Sequence, residues 1–249
     1  MATILAISSQ VAYGRVGLSA YRFILERLGH EVICIPTVNY LTHAGLGRIV
    51  GTSVSGDTLA DMGAELISLR LEEKIDYVIS GYFKTLEQAQ SFKWLITQLK
   101  SKNPSIKYCC DPIIGDAPKG IYIDIEVAEY IKDVLVPMAD MVSPNNFEAQ
   151  YLGALNNQQI LLKSVFEDGH YKNIYSENGD LVSQTFRHLP RHLSGAGDLI
   201  NALFIGYKLN GLSNLQAIEK STLFLSRLAE YTVEHECDQL PTIENQEYL

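Results

Sequence analysis

The segment from Gly195 to Asp198 places two glycines and a carboxylate directly before an apolar stretch that is typical of a helix. The first turn of a helix presents unpaired N–H groups and a partial positive charge, so it is a ready site for an anion such as phosphate. Gly195 and Gly197 let the backbone approach that anion because neither residue carries a Cβ. The segment therefore favours phosphate chemistry, with Asp198 placed to meet a substrate hydroxyl, although an ordinary helix cap has a similar composition.

Two carboxylates follow an apolar run elsewhere in the chain. Asp111 comes directly after Cys110, and Asp116 follows in the same polar stretch. Mg²⁺ usually takes one or two carboxylates together with phosphate oxygens and waters, so these residues are candidate metal ligands. Asp-Pro is also a common start of a plain turn. Both interpretations stay open from the residues alone.

A third polar group follows the short apolar run that ends at Ser143. Asn145 and Glu148 lie three positions apart, which puts both side chains on one face at the start of a helix. The same pair resembles a capping box in all but its first residue. Lys163 ends a later apolar run and could reach a phosphate as a point charge, although a lone lysine at a strand end is usually solvated.

Two further positions are candidates for contact with an organic ligand. Ser9 lies in a glycine-containing loop after the first apolar run, where it could hydrogen-bond a ligand, and Tyr82 follows Ser80 and could face a flat ring. A simple turn into a helix explains the first loop equally well. The stretch 39–56, rich in Gly, Thr and Ser, is a long connection and a candidate lid or ligand loop.

Several other motifs are excluded. The chain has no Gly-x4-Gly-Lys-Ser/Thr loop, and Gly45, Gly47 and Gly51 do not have the dinucleotide spacing. His188 and His192 lack the glutamate motif that accompanies zinc, so loop histidines are expected there rather than metal ligands. Ser9 has no nucleophile-elbow context, so a hydrolase is not supported.

The composition limits the class of protein. The 249 residues, 47% hydrophobic and 20% charged, are typical of one large globular domain. A net charge of −9 argues against a nucleic-acid or anionic-membrane binder, since both need a basic face. No apolar run approaches the ~20 residues that cross a bilayer, and the N-terminus is not typical of a signal peptide. The four cysteines lack zinc spacing, which favours reduced thiols and a cytoplasmic protein.

Alternating apolar runs and amphipathic stretches predict the elements that must position these residues. Continuous apolarity in the strands is typical of a parallel sheet covered on both faces, and the βαβ rhythm predicts a doubly wound α/β fold. Asn178-Gly179 predicts a late antiparallel hairpin between 171–175 and 181–186. Strands are expected at 3–8, 31–38, 77–80, 106–110, 140–143 and 160–165, and helices at 18–28, 57–74, 86–100, 125–136, 197–209 and 215–234. The polar groups then fall beyond the carboxyl ends of the strands, where ligands bind in such sheets.

Taken in order, these motifs resemble the pyridoxal kinase branch of the ribokinase-like superfamily. The resemblance covers residues 3 to about 210 and rests on five segments: Ser9–Gly17, Ser80–Tyr82, Cys110–Asp116, Ala139–Glu148 and Gly195–Asp198. Hydroxymethylpyrimidine kinases share the Asp-Pro and Asn-x-x-Glu pieces but resemble this chain less in the opening motif and the glycine-rich site. The resemblance implies a single ribokinase-like domain over 1–249, and family members are usually homodimers.

The resemblance implies ATP-dependent phosphorylation of the 5′-hydroxyl of pyridoxal, pyridoxine or pyridoxamine, with Mg²⁺ as cofactor. It leaves a monovalent cation open. In the implied catalytic centre, Asp198 is the base and the amides of Gly195, Ala196 and Gly197 form the anion hole. A carboxylate at a helix N-terminus is expected to have a lowered pKa and to be a weak base. The implied vitamer contacts are Ser9, Val16, His43, Tyr82 and Asp198; those for ATP are Asp111, Ser143, Asn145, Glu148 and Lys163; those for the metal are Asp111, Asp116 and Glu148.

The chain departs from the family in four places. The connection 153–159 is short where relatives carry a further helix, and 186–194 is short where relatives cover the nucleotide. Ala44 stands where relatives often offer a hydroxyl, and the tail 236–249 does not resemble the family's ending. Two alternatives therefore stay open: a kinase for another small alcohol, such as hydroxymethylpyrimidine or a sugar, and a catalytically weak vitamer-binding protein.

Overall fold

The alternation of apolar strands and amphipathic helices builds a layered α/β structure, described by a computed structural model for residues 1–156, 159–186 and 194–249. Within these residues one sheet contains nine strands in the order β11-β10-β9-β8-β5-β4-β1-β2-β3. The strands are β1 (Thr3–Val11), β2 (Glu31–Tyr40), β3 (Gly51–Ser53), β4 (Ile75–Ser80), β5 (Lys107–Cys110), β8 (Met141–Val142), β9 (Gln159–Glu167), β10 (His170–Glu177) and β11 (Asp180–Phe186). A separate small hairpin joins β6 (Gly115–Asp116) to β7 (Gly120–Ile121).

The direction of the strands confirms the predicted class. The central strands from β9 to β2 run parallel, whereas β10 and β11 at one edge and β3 at the other are antiparallel. The predicted late hairpin is present, with Asn178 and Gly179 both at positive φ in its turn. Strand β3 was not predicted, because its three exposed residues, from Gly51 to Ser53, carry no apolar pattern.

Helices cover both faces of the sheet. They are α1 (Leu18–Arg27), α2 (Gly56–Ser68), α3 (Leu86–Lys102), α4 (Ile125–Tyr130), α5 (Val136–Met138), α6 (Asn146–Leu152), α7 (Ala196–Leu209) and α8 (Asn214–Glu234). The helix predicted over 57–74 ends at Ser68, and Arg70 takes a left-handed conformation beyond it. The helix predicted over 125–136 contains a π-helical turn between α4 and α5. In the described ranges, no helix is both long and apolar enough to cross a membrane.

Alternate residues of β1 point to opposite faces of the sheet, which explains its unbroken apolar sequence. Ile4 and Ala6 pack in the cluster beneath α1, α7 and α8. Leu5 and Ile7 pack in the cluster beneath α2, α3 and α4. Packing on both faces of the sheet thus fixes the position of the first turn of α7 relative to the carboxyl ends of the strands.

The burial of α7 provides a test of this packing. Leu203 is 0% exposed in α7, whereas Leu223 is 60% exposed in the neighbouring α8. We expect Leu203→Ala to lower the free energy of unfolding by about 2–5 kcal/mol because it opens a cavity. The matched control Leu223→Ala should change it by less than about 0.5 kcal/mol. Equal effects in chemical denaturation would contradict the buried position of α7.

Candidate active site

Polar residues from five neighbouring parallel strands meet at one edge of the sheet. Ser9 lies in β1, Tyr82 follows β4, Asp111 follows β5 and Ser143 follows β8. Lys163 lies within β9, beside the start of α6, where its N–H donates to the Pro144 carbonyl at 2.9 Å. The parallel topology therefore brings together residues that are far apart in the sequence, as the prediction required.

The centre of this edge is a buried ion pair between Lys163 and Asp111. Their side chains are 5% and 2% exposed, and Nζ of Lys163 donates to Oδ1 of Asp111 at 2.7 Å. Oδ2 of Asp111 accepts from the Tyr21 hydroxyl at 2.8 Å and from Nδ2 of Asn201 at 3.3 Å. The interpretation of Lys163 as a solvated residue at a strand end is therefore wrong, because its ammonium neutralises a carboxylate in the protein interior.

Asn145 and Glu148 form the capping box that the sequence left as an alternative. The Glu148 N–H donates to Oδ1 of Asn145 at 2.9 Å, and the Asn145 N–H donates to Oε2 of Glu148 at 2.8 Å. The pair also binds the 114–115 segment, since Oε1 of Glu148 accepts from the Ile114 N–H at 3.1 Å and Nδ2 of Asn145 donates to the Gly115 carbonyl at 2.8 Å. The two residues thus fix the position of β6, the short strand that contains Asp116.

These contacts bear on the expected metal site. Both oxygens of Asp111 and both oxygens of Glu148 already accept hydrogen bonds from protein donors. The described parts of the chain contain no group of three or more His, Cys, Asp or Glu side chains that could hold a metal ion. The arrangement of Asp111, Asp116 and Glu148 therefore does not fit direct coordination of Mg²⁺ by these three carboxylates.

The first turn of α7 has the features of an anion site. Gly195 precedes the helix in a left-handed conformation, and no side chain of the described residues caps the helix. A Cβ on Gly195 would lie 1.9 Å from the Arg15 carbonyl oxygen, so only glycine fits there. A Cβ on Gly197 would have only the Lys163 side chain within 4 Å among the described residues, with Nζ at 3.6 Å. The space beside Gly197 therefore contains the ammonium end of the Lys163 side chain.

Asp198 lies in that turn with an unusual environment. Its Oδ1 is buried and has no hydrogen-bond partner in the part of the chain that the structure describes. Burial, assisted by the charge of Asp111, raises the pKa of Asp198 to about 7, although the Gly17 N–H and the Lys163 ammonium act in the opposite direction. The expectation of a lowered pKa is wrong, because desolvation and a like charge outweigh the helix N-terminus.

Burial and nearby charges also shift the pKa values of Glu148 and Lys163. Burial raises the pKa of Glu148 to about 8, and Asp111 adds to that shift against the opposing charge of Lys163. Burial alone would lower the pKa of Lys163, but the charges of Asp111 and Glu148 raise it overall. The site therefore keeps its lysine charged and raises the pKa of Asp198 to about 7 and that of Glu148 to about 8.

Three of the predicted vitamer residues, Ser9, Val16 and His43, lie in or beside the loop 12–17, whereas Tyr82 follows β4, where its N–H donates to Oγ of Ser8 at 3.1 Å. A Cβ on Gly17 would lie 2.4 Å from Oγ of Ser9, so the loop passes close to that hydroxyl. Burial raises the pKa of Tyr82 to about 12, with contributions from Tyr40 and Asp124. Nδ1 of His43 accepts from the Gly45 N–H at 3.1 Å. A cavity of about 330 Å³ is lined by Gly45, Ser194 and the 116–119 segment, so it adjoins both His43 and the first turn of α7.

Sequence reasoning missed several residues of the site. Tyr21 in α1 and Asn201 in α7 donate hydrogen bonds to Asp111. In the sequence both lie within predicted helices, and no motif distinguishes them from their neighbours. Tyr122 was also missed: burial raises the pKa of its hydroxyl, and Glu148 and Asp198 contribute to the shift. Ser143, which the resemblance implied as an ATP contact, has a buried hydroxyl without a partner among the described residues. His188 and His192 lie outside the described residues.

Comparison with known proteins agrees with this geometry. No family model matches the chain. Pyridoxal kinase PdxY from Granulibacter bethesdensis is 30% identical over an alignment of 273 positions, gaps included, which covers 99% of this chain and 96% of that protein. Pyridoxal kinase from Entamoeba histolytica has the same fold with a TM-score of 0.91 at 21% identity, covering 100% of this chain and 95% of the other. Pyridoxal kinase from Leishmania donovani, in complex with ADP and pyridoxine, has a TM-score of 0.85 at 23% identity, covering 93% and 87%.

The sheet order and the helix at its carboxyl edge define a ribokinase-like α/β fold, as the sequence predicted. The chain belongs to the pyridoxal kinase family.

The ion pair at the centre of the site generates a stability prediction. Lys163→Met keeps the length of the side chain but leaves Asp111 buried without its ammonium partner. We expect the free energy of unfolding at pH 7 to fall by about 3–5 kcal/mol. Lys93→Met on the exposed face of α3 is the matched control, with an expected change below about 0.5 kcal/mol. A loss at Lys163 no larger than that of the control would show that the pair is not a structural element.

Proposed function

We propose that this protein transfers the γ-phosphoryl group of ATP to the 5′-hydroxyl of pyridoxal, pyridoxine or pyridoxamine. The observation that carries this proposal is Asp198, whose buried Oδ1 lacks a hydrogen-bond partner among the described residues, at an uncapped helix N-terminus next to Lys163. A free carboxylate oxygen is suited to accept a hydroxyl proton, and the helix N-terminus and ammonium are suited to an anion. The family membership supplies the substrate class.

In the proposed reaction, the vitamer oxygen forms a bond to the γ-phosphorus while the bond from that phosphorus to the ADP oxygen breaks. Asp198 takes the hydroxyl proton late, because phosphoryl transfer passes through a loose transition state. The amides of Gly195, Ala196 and Gly197 and the Lys163 ammonium meet the negative charge on the transferring group. Gly195 lets the backbone turn into this position.

We propose that Ser9, Val16, His43 and Tyr82 contact the pyridine ring, and that Ser143, Asn145 and Lys163 lie along the path of the nucleotide phosphates. Mg²⁺ would enter with ATP as part of the co-substrate and would supply charge neutralisation at the phosphates, with Asp111, Asp116 and Glu148 as the residues beside it. A requirement for a monovalent cation stays a prediction. The effect of the short 153–159 and 186–194 regions on adenine binding also stays a prediction, because residues 157–158 and 187–193 lie outside the described residues.

We further propose that residues 1–249 form a single kinase domain that acts as a cytoplasmic homodimer. All four cysteines are free, which supports a reducing compartment. The single large sheet, to which helices pack on both faces, supports one domain.

The role of Asp198 is tested by Asp198→Asn, which keeps the shape of the side chain but removes the base. We expect turnover with Mg²⁺-ATP and pyridoxal to fall by about 10²-fold or more, while pyridoxal binding measured by calorimetry stays within about twofold. Asp57→Asn is the matched control, since Asp57 is an exposed carboxylate in the first turn of α2. An unchanged kcat would remove Asp198 from this role, and ADP release without a phosphorylated vitamer would indicate another alcohol.

The raised pKa of Asp198 predicts the pH dependence of the reaction. The base form of Asp198 is present above its pKa of about 7 and is lost by protonation below it. We therefore expect kcat/KM for pyridoxal, which reports the free enzyme, to rise with pH through about 7 and then level off. The residual activity of Asp198→Asn should lack this rise. A profile that is flat across this range in the unaltered protein would contradict the assignment.

A further inference from the structure

The C-terminal segment beyond α8, residues 236–249, returns to the body of the protein. Leu240, Thr242 and Asn245 are buried, and Leu240 belongs to the cluster beneath α1 and α7. Nδ2 of Asn245 donates to the Pro241 carbonyl at 3.0 Å, which closes a turn within the segment. This part of the chain, whose sequence departs from the family's ending, is therefore a packed element and has a fixed position next to the site.

Two side chains of this segment hold Arg15. Oε1 of Gln239 accepts from the Arg15 backbone N–H at 3.2 Å, and Oγ1 of Thr242 accepts from Nε of Arg15 at 3.1 Å. Arg15 lies in the loop between β1 and α1. The segment thus binds both the backbone and the side chain of one residue in the loop proposed to contact the vitamer.

The same glutamine reaches a second proposed vitamer contact. Nε2 of Gln239 lies 3.3 Å from Nε2 of His43. Gly14 passes between them, because a Cβ at that position would lie 3.1 Å from Cδ2 of His43 and 3.3 Å from Oε1 of Gln239. Gln239 therefore bridges the loop 12–17 and the residue at the start of the 43–47 turn.

The loop held by Gln239 is in contact with the catalytic turn. The Arg15 carbonyl packs directly on Gly195, and the Gly17 N–H favours the charged form of Asp198. A shift of Arg15 would therefore move the surface that meets the vitamer and would disturb the first turn of α7. We propose that Gln239 is a positioning residue for the vitamer site, holding the loop 12–17 and the His43 imidazole at a fixed separation. This inference rests on the proposed function for the identity of the ligand.

The hydrogen bonds around Gln239 sharpen the test. A neutral imidazole has one acceptor nitrogen. With the His43 proton on Nδ1, Nε2 of His43 accepts from the Gln239 amide nitrogen while Oε1 of Gln239 accepts from the Arg15 N–H, so one amide joins both partners. With the proton on Nε2, Nδ1 accepts from the Gly45 N–H instead, and the bridge then requires an acceptor at position 239. A carboxylate there offers one oxygen to the Arg15 N–H and one to the imidazole N–H, so Gln239→Glu should preserve the bridge, whereas Gln239→Met keeps the length and removes it.

The experiment compares Gln239→Met, Gln239→Glu and the control Glu244→Ala, an exposed residue of the same segment. Dissociation constants for pyridoxal are measured by calorimetry without nucleotide, and KM values for pyridoxal and ATP are measured with Mg²⁺. We expect Gln239→Met to raise both the Kd and the KM for pyridoxal about tenfold, with the KM for ATP unchanged. Gln239→Glu and Glu244→Ala should stay within about twofold of the unaltered protein.

The outcomes separate this inference from the proposed function. If the unaltered protein neither binds nor phosphorylates pyridoxal, the proposed function fails. If it does both and Gln239→Met behaves like Glu244→Ala, the positioning role is overturned. Equal losses for pyridoxal and ATP together with a lower melting temperature, or a loss in Gln239→Glu as large as in Gln239→Met, would also overturn it, because either result indicates a structural contact alone. In a double-mutant cycle, the effects of Gln239→Met and His43→Ala should be non-additive.

Discussion

The buried pair of Lys163 and Asp111 is the constraint on which the rest of the site depends. One ammonium lies among Asp111, Glu148 and Asp198, so the interior contains more acidic groups than basic ones. A buried carboxylate that lacks its own counter-charge is costly, and proteins reduce that cost by raising the pKa of the carboxyl group. Burial raises the pKa values of Glu148 and Asp198 to about 8 and about 7, and the charge of Asp111 adds to both shifts while that of Lys163 opposes them. The pair thus contributes to the protonation of its neighbours as well as fixing its own geometry.

This charge balance also determines what can enter. A site with three ionised carboxylates would repel the phosphates of ATP, whereas partial protonation of Glu148 reduces that repulsion. The unpaired amides at the start of α7 add positive potential without a further basic side chain. A chain with a net charge of −9 can therefore present a local anion site, because the attraction comes from backbone dipoles and one lysine. The four oxygens of Asp111 and Glu148 accept hydrogen bonds from protein donors, whereas Oδ1 of Asp198 lacks a partner among the described residues.

The sequence predicts much of this fold because the parallel strands are buried on both faces. Their continuous apolar runs and the helices between them leave little choice of architecture, and the Asn178-Gly179 turn marks the late hairpin. The sequence could not predict β3 or the hairpin of β6 and β7, because their few residues form no pattern. The candidate residues were found from their positions after the strands. Their partners Tyr21, Asn201 and Gln239 were not found, since contacts across 90 to 224 positions of sequence depend on how the elements pack.

The pKa of Asp198 shows where local reasoning fails. The helix N-terminus and the Gly17 N–H both favour its charged form, and a prediction from the first turn of α7 alone gives a weaker base. Burial and Asp111 reverse the result, and neither is visible from residues 195–198. The reversal suits the proposed chemistry, because a general base is most effective when its pKa lies near the working pH. A lower pKa would keep Asp198 ionised but make it a poorer proton acceptor, and a much higher one would leave it protonated. The helix dipole and the buried acids thus oppose each other at one carboxylate, and their balance places its pKa in the useful range.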